Sequence, residues 1–107
     1  MIVYKDVSPD WPKYNKRPGC PKTRRLKEID MLVVHCTDDE DLAGQDLDSI
    51  IKYHTNPNHV CATGCWTICY HYYIEKLNKD TVLWKTVPHE IVTFHAGKWN
   101  TRSLVIV

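Results

Sequence analysis

The order of apolar and polar positions predicts a chain that mixes strands with one amphipathic helix. Met31–Thr37 is an apolar run with a polar end, and a continuous run of this kind predicts a strand covered on both faces. Asp46–His54 carries its apolar residues at helical spacing, with Asp46 as a suitable N-cap. These two patterns place a buried strand before a surface helix.

The second half of the chain has a pattern typical of strands. Tyr70–Lys76 and Thr81–Val87 are rich in aromatic and β-branched residues, and the turn residues 78–80 between them predict a β-hairpin. Ile91–His95 is predicted as a short strand, and Ser103–Val107 as another buried strand. Together the elements predict an α/β fold in which a central mixed β-sheet is flanked by helices.

The two ends of the chain differ from this regular part. Prolines are too dense in residues 1–26 for a long helix, so we expect an irregular N-terminal arm before a single domain over residues 27–107. The last residues lie inside an apolar run, where a terminal carboxylate is costly to bury. We therefore expect the fold to be incomplete at its C-terminus, and to be completed by a missing C-terminal segment or another chain.

Length, charge and hydropathy exclude several classes of partner. A chain of 107 residues is one domain, and its 14 basic and 13 acidic residues give no basic surface typical of nucleic-acid binding. No apolar run is long enough for a membrane span. The N-terminus has no signal-peptide pattern, so we expect synthesis in the cytoplasm.

The cysteines allow two interpretations. Five is an odd number, and without an export signal free thiols or metal ligands are expected rather than a disulfide framework. On a helix, Cys61, Cys65 and Cys69 would share one face and could form a structural zinc site with His59 or His54. In the other interpretation these cysteines are small apolar core residues.

His35 is the first candidate for chemistry because of its place in the pattern. Open α/β sheets bind their ligands at the carboxyl ends of the strands, and His35 follows a predicted strand directly. A histidine there could be a metal ligand, or an ordinary core or surface residue.

Three blocks in order carry a resemblance to a known family. They are Ile29–Thr37, Trp66–Ile74 and His95–Asn100, the last followed by Ser103. Over about residues 27–107 the sequence resembles the zinc amidases of the N-acetylmuramoyl-L-alanine amidase type. This family includes phage endolysins, bacterial cell-wall amidases and animal peptidoglycan recognition proteins.

The resemblance implies an enzyme that acts on peptidoglycan with Zn²⁺ as cofactor. It makes His35 the first zinc ligand, Tyr70 the group that orients the attacking water or stabilises the oxyanion, and His95 the active-site histidine. Asn100 matches the closing asparagine of the third block, and Trp99 beside it is expected to contact substrate. The implied reaction cleaves the amide bond between N-acetylmuramic acid and L-alanine, as in cell-wall lysis or remodelling by an endolysin-like protein.

The sequence departs from the family pattern in ways that leave alternatives open. Cys69 stands where many relatives have glycine, and Arg102–Val105 replaces the usual Ser-Ile-Gly run. The other two zinc ligands are expected beyond Val107, so we expect the parent protein to be active and this fragment to be inactive alone. The alternatives are a non-catalytic peptidoglycan-binding module with Tyr70, Trp84 and Trp99 in its groove, and a structural zinc-stapled domain.

Overall fold

Within the part of the chain that the structure describes, a five-stranded mixed sheet and one covering α-helix form the fold. The computed structural model describes residues 1–9, 22–35, 46–57, 64–65, 67–77, 79–93 and 97–107. The elements are β1 (Ile2–Asp6), β2 (Met31–Val34), α1 (Leu47–Thr55), β3 (Tyr72–Leu77), β4 (Asp80–Lys85) and β5 (Ser103–Ile106). Short 3-10 helices cover Leu26–Glu28 and Gly97–Arg102.

The strand order β1-β4-β3-β5-β2 confirms the predicted α/β fold with a mixed sheet. β3 and β4 form the predicted antiparallel hairpin, with Tyr73 opposite Trp84. β1 pairs in parallel with β4, and β2 pairs in parallel with β5 along its whole length. A single parallel pair, Tyr72 with Ile106, joins the hairpin to β5. β5 therefore ends where β3 begins.

Helix α1 forms where its pattern predicts, because both its cap and its apolar face are present. The Asp46 carboxylate accepts hydrogen bonds from the backbone N–H of Ser49 at 3.3 Å and from its hydroxyl at 2.6 Å. The apolar face packs on one side of the sheet. The buried core cluster is Leu47, Ile68, Tyr73 and Val87, and partly buried side chains surround it, including Ile50, Ile51, Tyr70, Trp84 and Val107. None of the described helices is long and apolar enough to cross a membrane.

The prediction that both faces of the strand in Met31–Thr37 are covered was wrong. β2 lies at the edge of the described sheet, and its side chains alternate between the two faces. Leu32 is 65% exposed and Val34 is 71% exposed. The core cluster lies on the α1 side of the sheet, and no described element packs on the opposite side of β2.

Two further predictions need correction. The arm 1–26 is not irregular throughout, because Ile2–Asp6 pairs with β4 as an edge strand. Ile91–His95 does not form the predicted strand in its described part, since Ile91 makes one isolated bridge with Thr23. The division into an arm and a domain over 27–107 stays a prediction.

Candidate active site

The predicted residues His35 and Tyr70 lie at the same end of the sheet, although they belong to different strands. The backbone N–H of His35 donates to the carbonyl of Ile106 at 2.9 Å, so this histidine follows β2 beside the end of β5. The backbone N–H of Val107 then donates to the carbonyl of Tyr72 at 3.2 Å. Tyr70 precedes β3 at this point and packs against the same core cluster as Val107. The carboxyl ends of β2 and β5 thus meet the start of β3.

The Tyr70 side chain is held between two aromatic neighbours. Its ring is 4.9 Å from the ring of His54 in an edge-on contact, and 6.2 Å from the ring of Tyr73 in a nearly parallel one. Burial raises the pKa of the Tyr70 phenol, and the neighbouring Cys69 and Tyr53 act in the same direction. The phenol therefore keeps its proton at neutral pH and can donate a hydrogen bond.

His54 joins helix α1 to the segment that carries Tyr70. Its side chain is buried, and its Nδ1 accepts the backbone N–H of Cys69 at 2.9 Å. Since Nδ1 accepts, the proton of the neutral ring is on Nε2. Burial lowers the pKa of His54 to about 4. His54 was predicted only as a possible ligand of the structural zinc site with the cysteines, although its place on the apolar face of the predicted helix was a signal for burial.

The cysteines contradict the zinc-stapled alternative that uses Cys61, Cys65 and Cys69. Cys65 is disulfide-bonded, so its sulfur is not a thiolate ligand, and the expectation of free thiols or metal ligands was wrong for it. Cys69 is free and buried, and burial raises the pKa of its thiol to about 12. Cys61 lies outside the described residues.

The third block reaches the described residues only in part. His95 lies outside them, and so its predicted catalytic role stays a prediction. Trp99 and Asn100 lie on the 3-10 helix Gly97–Arg102, directly before β5. Trp99 is 39% exposed, and the guanidinium of Arg102 lies 5.7 Å from its ring centre.

A groove lined by Tyr70, Trp84 and Trp99 was predicted, but no described cavity is lined by these three residues together. Trp84 donates its indole N–H to the carboxylate of Glu75 at 2.8 Å. A cavity of about 510 Å³ lies along β3 instead. None of the three aromatic residues lines it; its walls are Asp46, Tyr73, Ile74, Glu75, Lys76, Leu77 and Thr81.

The described residues do not make up a complete metal site. No three of their His, Cys, Asp or Glu side chains are grouped closely enough to hold a metal ion. A catalytic zinc needs three protein ligands, and His35 is the one predicted ligand within the described ranges.

Thr86 is a supporting residue that the sequence did not reveal. It is completely buried, and its backbone N–H donates to the carbonyl of His71 at 2.9 Å. Its hydroxyl contacts the carbonyl oxygens of both Tyr70 and His71. The end of β4 thereby fixes the backbone just before β3, where Tyr70 lies.

We expect Thr86→Val to lower the free energy of unfolding by about 1–3 kcal/mol, because valine has nearly the same shape but leaves a buried carbonyl unpaired. Urea unfolding measures the loss. Thr86→Ser keeps the hydroxyl and is the matched control, expected to lose less than the valine variant. Equal stability of wild type and Thr86→Val would show that the hydroxyl contributes nothing.

Comparisons with known proteins identify the family and the fold. Residues 25–107 match the family model described as N-acetylmuramoyl-L-alanine amidase. Among solved structures, the fold is similar to the Ph2119 endolysin from Thermus scotoductus MAT2119 bacteriophage Ph2119, with a TM-score of 0.67 at 21% sequence identity. That match covers 99% of this chain and 58% of the endolysin chain. No curated protein matches. Because the family model covers most of its length, the chain belongs to the N-acetylmuramoyl-L-alanine amidase family.

Proposed function

We propose that this protein hydrolyses peptidoglycan at the amide bond between N-acetylmuramic acid and the L-alanine of the stem peptide. The observation that supports this most directly is that His35 and Tyr70 lie at the same end of the sheet, where β2 and β5 end and β3 begins. It occurs in a chain that matches the amidase family over residues 25–107. The protein would act on the cell wall.

In this proposal Tyr70 stabilises the negative charge that develops on the amide oxygen. Its phenol is protonated at neutral pH, and burial raises its pKa further, so it can donate to the oxyanion. Its ring is fixed by His54 and Tyr73, which limits the reorganisation needed during the reaction. Trp99 and Asn100 would bind the substrate, and His95 would act beside them.

We also propose Zn²⁺ as the cofactor, with His35 as one of its ligands. A bound zinc ion lowers the pKa of its water and polarises the scissile carbonyl. The described residues supply His35 but no group of three ligands, so by themselves they do not fit a complete zinc site. We expect the second histidine, and the cysteine or aspartate, from residues other than those described.

A second candidate is a peptidoglycan-binding module without catalysis. The lack of a three-ligand group among the described residues favours it, and so does the partly exposed ring of Trp99, which could pack on a sugar or peptide. This candidate predicts binding to the cell wall with no bond cleavage.

The test is to incubate the full-length protein with purified sacculi and Zn²⁺, and to detect new amino-terminal L-alanine by mass spectrometry. We expect release of stem peptides that begin with L-alanine. His35→Ala should lower the release rate by at least about 100-fold, because removal of a zinc ligand removes the metal chemistry. His89→Gln is the matched control, since His89 bonds to Tyr72 instead, and it should keep the wild-type rate.

The outcomes separate the two candidates. Release that is lost in His35→Ala and kept in His89→Gln supports the amidase. Binding of sacculi without release supports the recognition module and contradicts the amidase. Release that is unchanged in His35→Ala contradicts the role of His35 as a ligand.

A further inference from the structure

Arg24 is a buried cation that contacts backbone carbonyls instead of a carboxylate. Its residue surface is 6% exposed, although the adjacent Arg25 lies at the surface. Its Nε donates to the carbonyl of His89 at 2.9 Å. Among the described residues no ion pair involves Arg24. A buried guanidinium is costly unless its donors are satisfied, so these contacts have to compensate for its lost hydration.

The main contacts of Arg24 are at the carboxyl end of the 3-10 helix Gly97–Arg102. Nη1 lies 3.0 Å from the carbonyl oxygen of Asn100, 3.0 Å from that of Thr101, and 2.7 Å from that of Ser103. The last carbonyls of a helix have no partner within the helix and form its negative end. A cation placed there satisfies them and has favourable electrostatics.

Every carbonyl in this helix end has a partner. The Ser103 hydroxyl donates to the carbonyl of Trp99 at 2.8 Å, and the backbone N–H of Asp30 donates to that of Arg102 at 2.9 Å. The two N–H groups of Arg24 Nη1 are shared among the remaining carbonyls, those of Asn100, Thr101 and Ser103. The helix end is therefore fixed from outside, by residues that precede β2 in the chain.

Arg24 also touches the segment that carries Tyr70. Its Nη2 lies 3.2 Å from Nε2 of His71. That nitrogen is 2.8 Å from the carbonyl of Ile91, and Nδ1 of the same ring accepts the N–H of Val105 at 3.3 Å. A carbonyl can only accept, so His71 is neutral with its proton on Nε2. Because Nε2 then carries a proton, it cannot accept from the guanidinium, so the Arg24–His71 approach is a packing contact without a hydrogen bond. The guanidinium packs on the residue next to Tyr70 while its Nη1 holds the Asn100 segment.

We propose that Arg24 is a positioning residue of the active site, which fixes the helix of Trp99 and Asn100 relative to the Tyr70 segment. Its role rests on the proposed peptidoglycan substrate, because Trp99 and Asn100 are the groups proposed to bind it. Arg24 itself does not touch substrate. It acts by the position that it gives to these two segments.

The test compares Arg24→Met, Arg24→Lys and the control Arg25→Met in the full-length protein. Arg25 is the exposed neighbour of the same type and bonds to Glu28. Two quantities are measured well below the unfolding temperature: amide hydrogen exchange by NMR, and the affinity for purified sacculi by co-sedimentation. In Arg24→Met we expect exchange to rise at least about tenfold over residues 98–105, with little change in the β3–β4 hairpin. Affinity should fall by about tenfold or more.

The other variants make the result specific. Arg24→Lys keeps the charge but not the planar set of donors, so its affinity should lie between those of wild type and Arg24→Met. If Arg24→Met does not fold, the proposal is tested by comparing Arg24→Lys with wild type. Arg25→Met should behave as wild type.

Several results would overturn the proposal. One is an Arg24→Met protein that is folded and binds sacculi as tightly as wild type. Another is faster exchange throughout the sheet together with weaker binding, which would make Arg24 a general stability residue. If the wild type itself does not bind sacculi, the proposed function fails, and unchanged exchange over residues 98–105 would then overturn the anchoring role independently.

Discussion

Tyr73→Ala is expected to lower the free energy of unfolding by about 3–5 kcal/mol, the range for loss of a buried aromatic side chain. Tyr73 is 2% exposed and belongs to the core cluster between α1 and the sheet. A domain of this size is stable by only about 5–15 kcal/mol, so this single change removes a large part of the total. Chemical denaturation followed by circular dichroism measures it.

Tyr53→Ala is the matched control for this substitution. Tyr53 lies on α1 and is 52% exposed, so its truncation should cost no more than about 1 kcal/mol. Tyr73→Phe keeps the ring and should retain most of the stability. Because Tyr73 packs nearly parallel to Tyr70, Tyr73→Ala should also disturb the candidate site. A Tyr73→Ala protein as stable as Tyr53→Ala would contradict the assigned core.

The second large effect is a loss of stability in mild acid that depends on His54. Burial lowers the pKa of His54 from 6.5 to about 4 in the folded protein. Between these values the unfolded chain binds a proton that the folded protein does not, so stability falls as the pH falls. The contribution is complete above about pH 6.5 and is lost by about pH 4. It amounts to about 3 kcal/mol.

The structural reason is the hydrogen bond from the Cys69 N–H to Nδ1 of His54. Protonation of Nδ1 removes the acceptor and places a charge in a buried site. The measurement is urea unfolding at several pH values for wild type and His54→Gln. The difference between the two should shrink as the pH falls from 7 to 4, since glutamine does not titrate. A difference that stays constant over this range would contradict the assignment.

Local patterns predicted the elements that depend on local interactions. Helix α1 was predicted from its apolar spacing and the Asp46 cap, and the β3–β4 hairpin from its two strands and short turn. β5 also lies within its predicted range. The exposure of β2 was not predicted, because an apolar run does not show which face of the strand is covered by another element.

In the candidate site, too, local sequence patterns predicted some residues and missed those that depend on distant contacts. His35 and Tyr70 were proposed from the strand pattern and the family resemblance, and their roles stay predictions. The residues that support them, Arg24 and Thr86, were not predicted. Arg24 and Arg25 are equivalent in the sequence, since both lie in a basic stretch rich in lysine and arginine. What distinguishes the buried residue from the exposed one is a set of distant carbonyls, those of His89, Asn100, Thr101 and Ser103, which lie 65 to 79 positions away in the chain. No local pattern contains that information.

The parallel pairing of both edge strands determines when the sheet can form during synthesis. β1 and β2 leave the ribosome early, but their partners are β4 and β5. The Asp30–Arg102 pair beside β2 closes a loop of 72 positions. Such non-local contacts form slowly, because a long loop must close before any contact stabilises it. The exposed Leu32 and Val34 of β2 therefore have no neighbouring strand until β5 has been synthesised, and aggregation competes with folding during that interval.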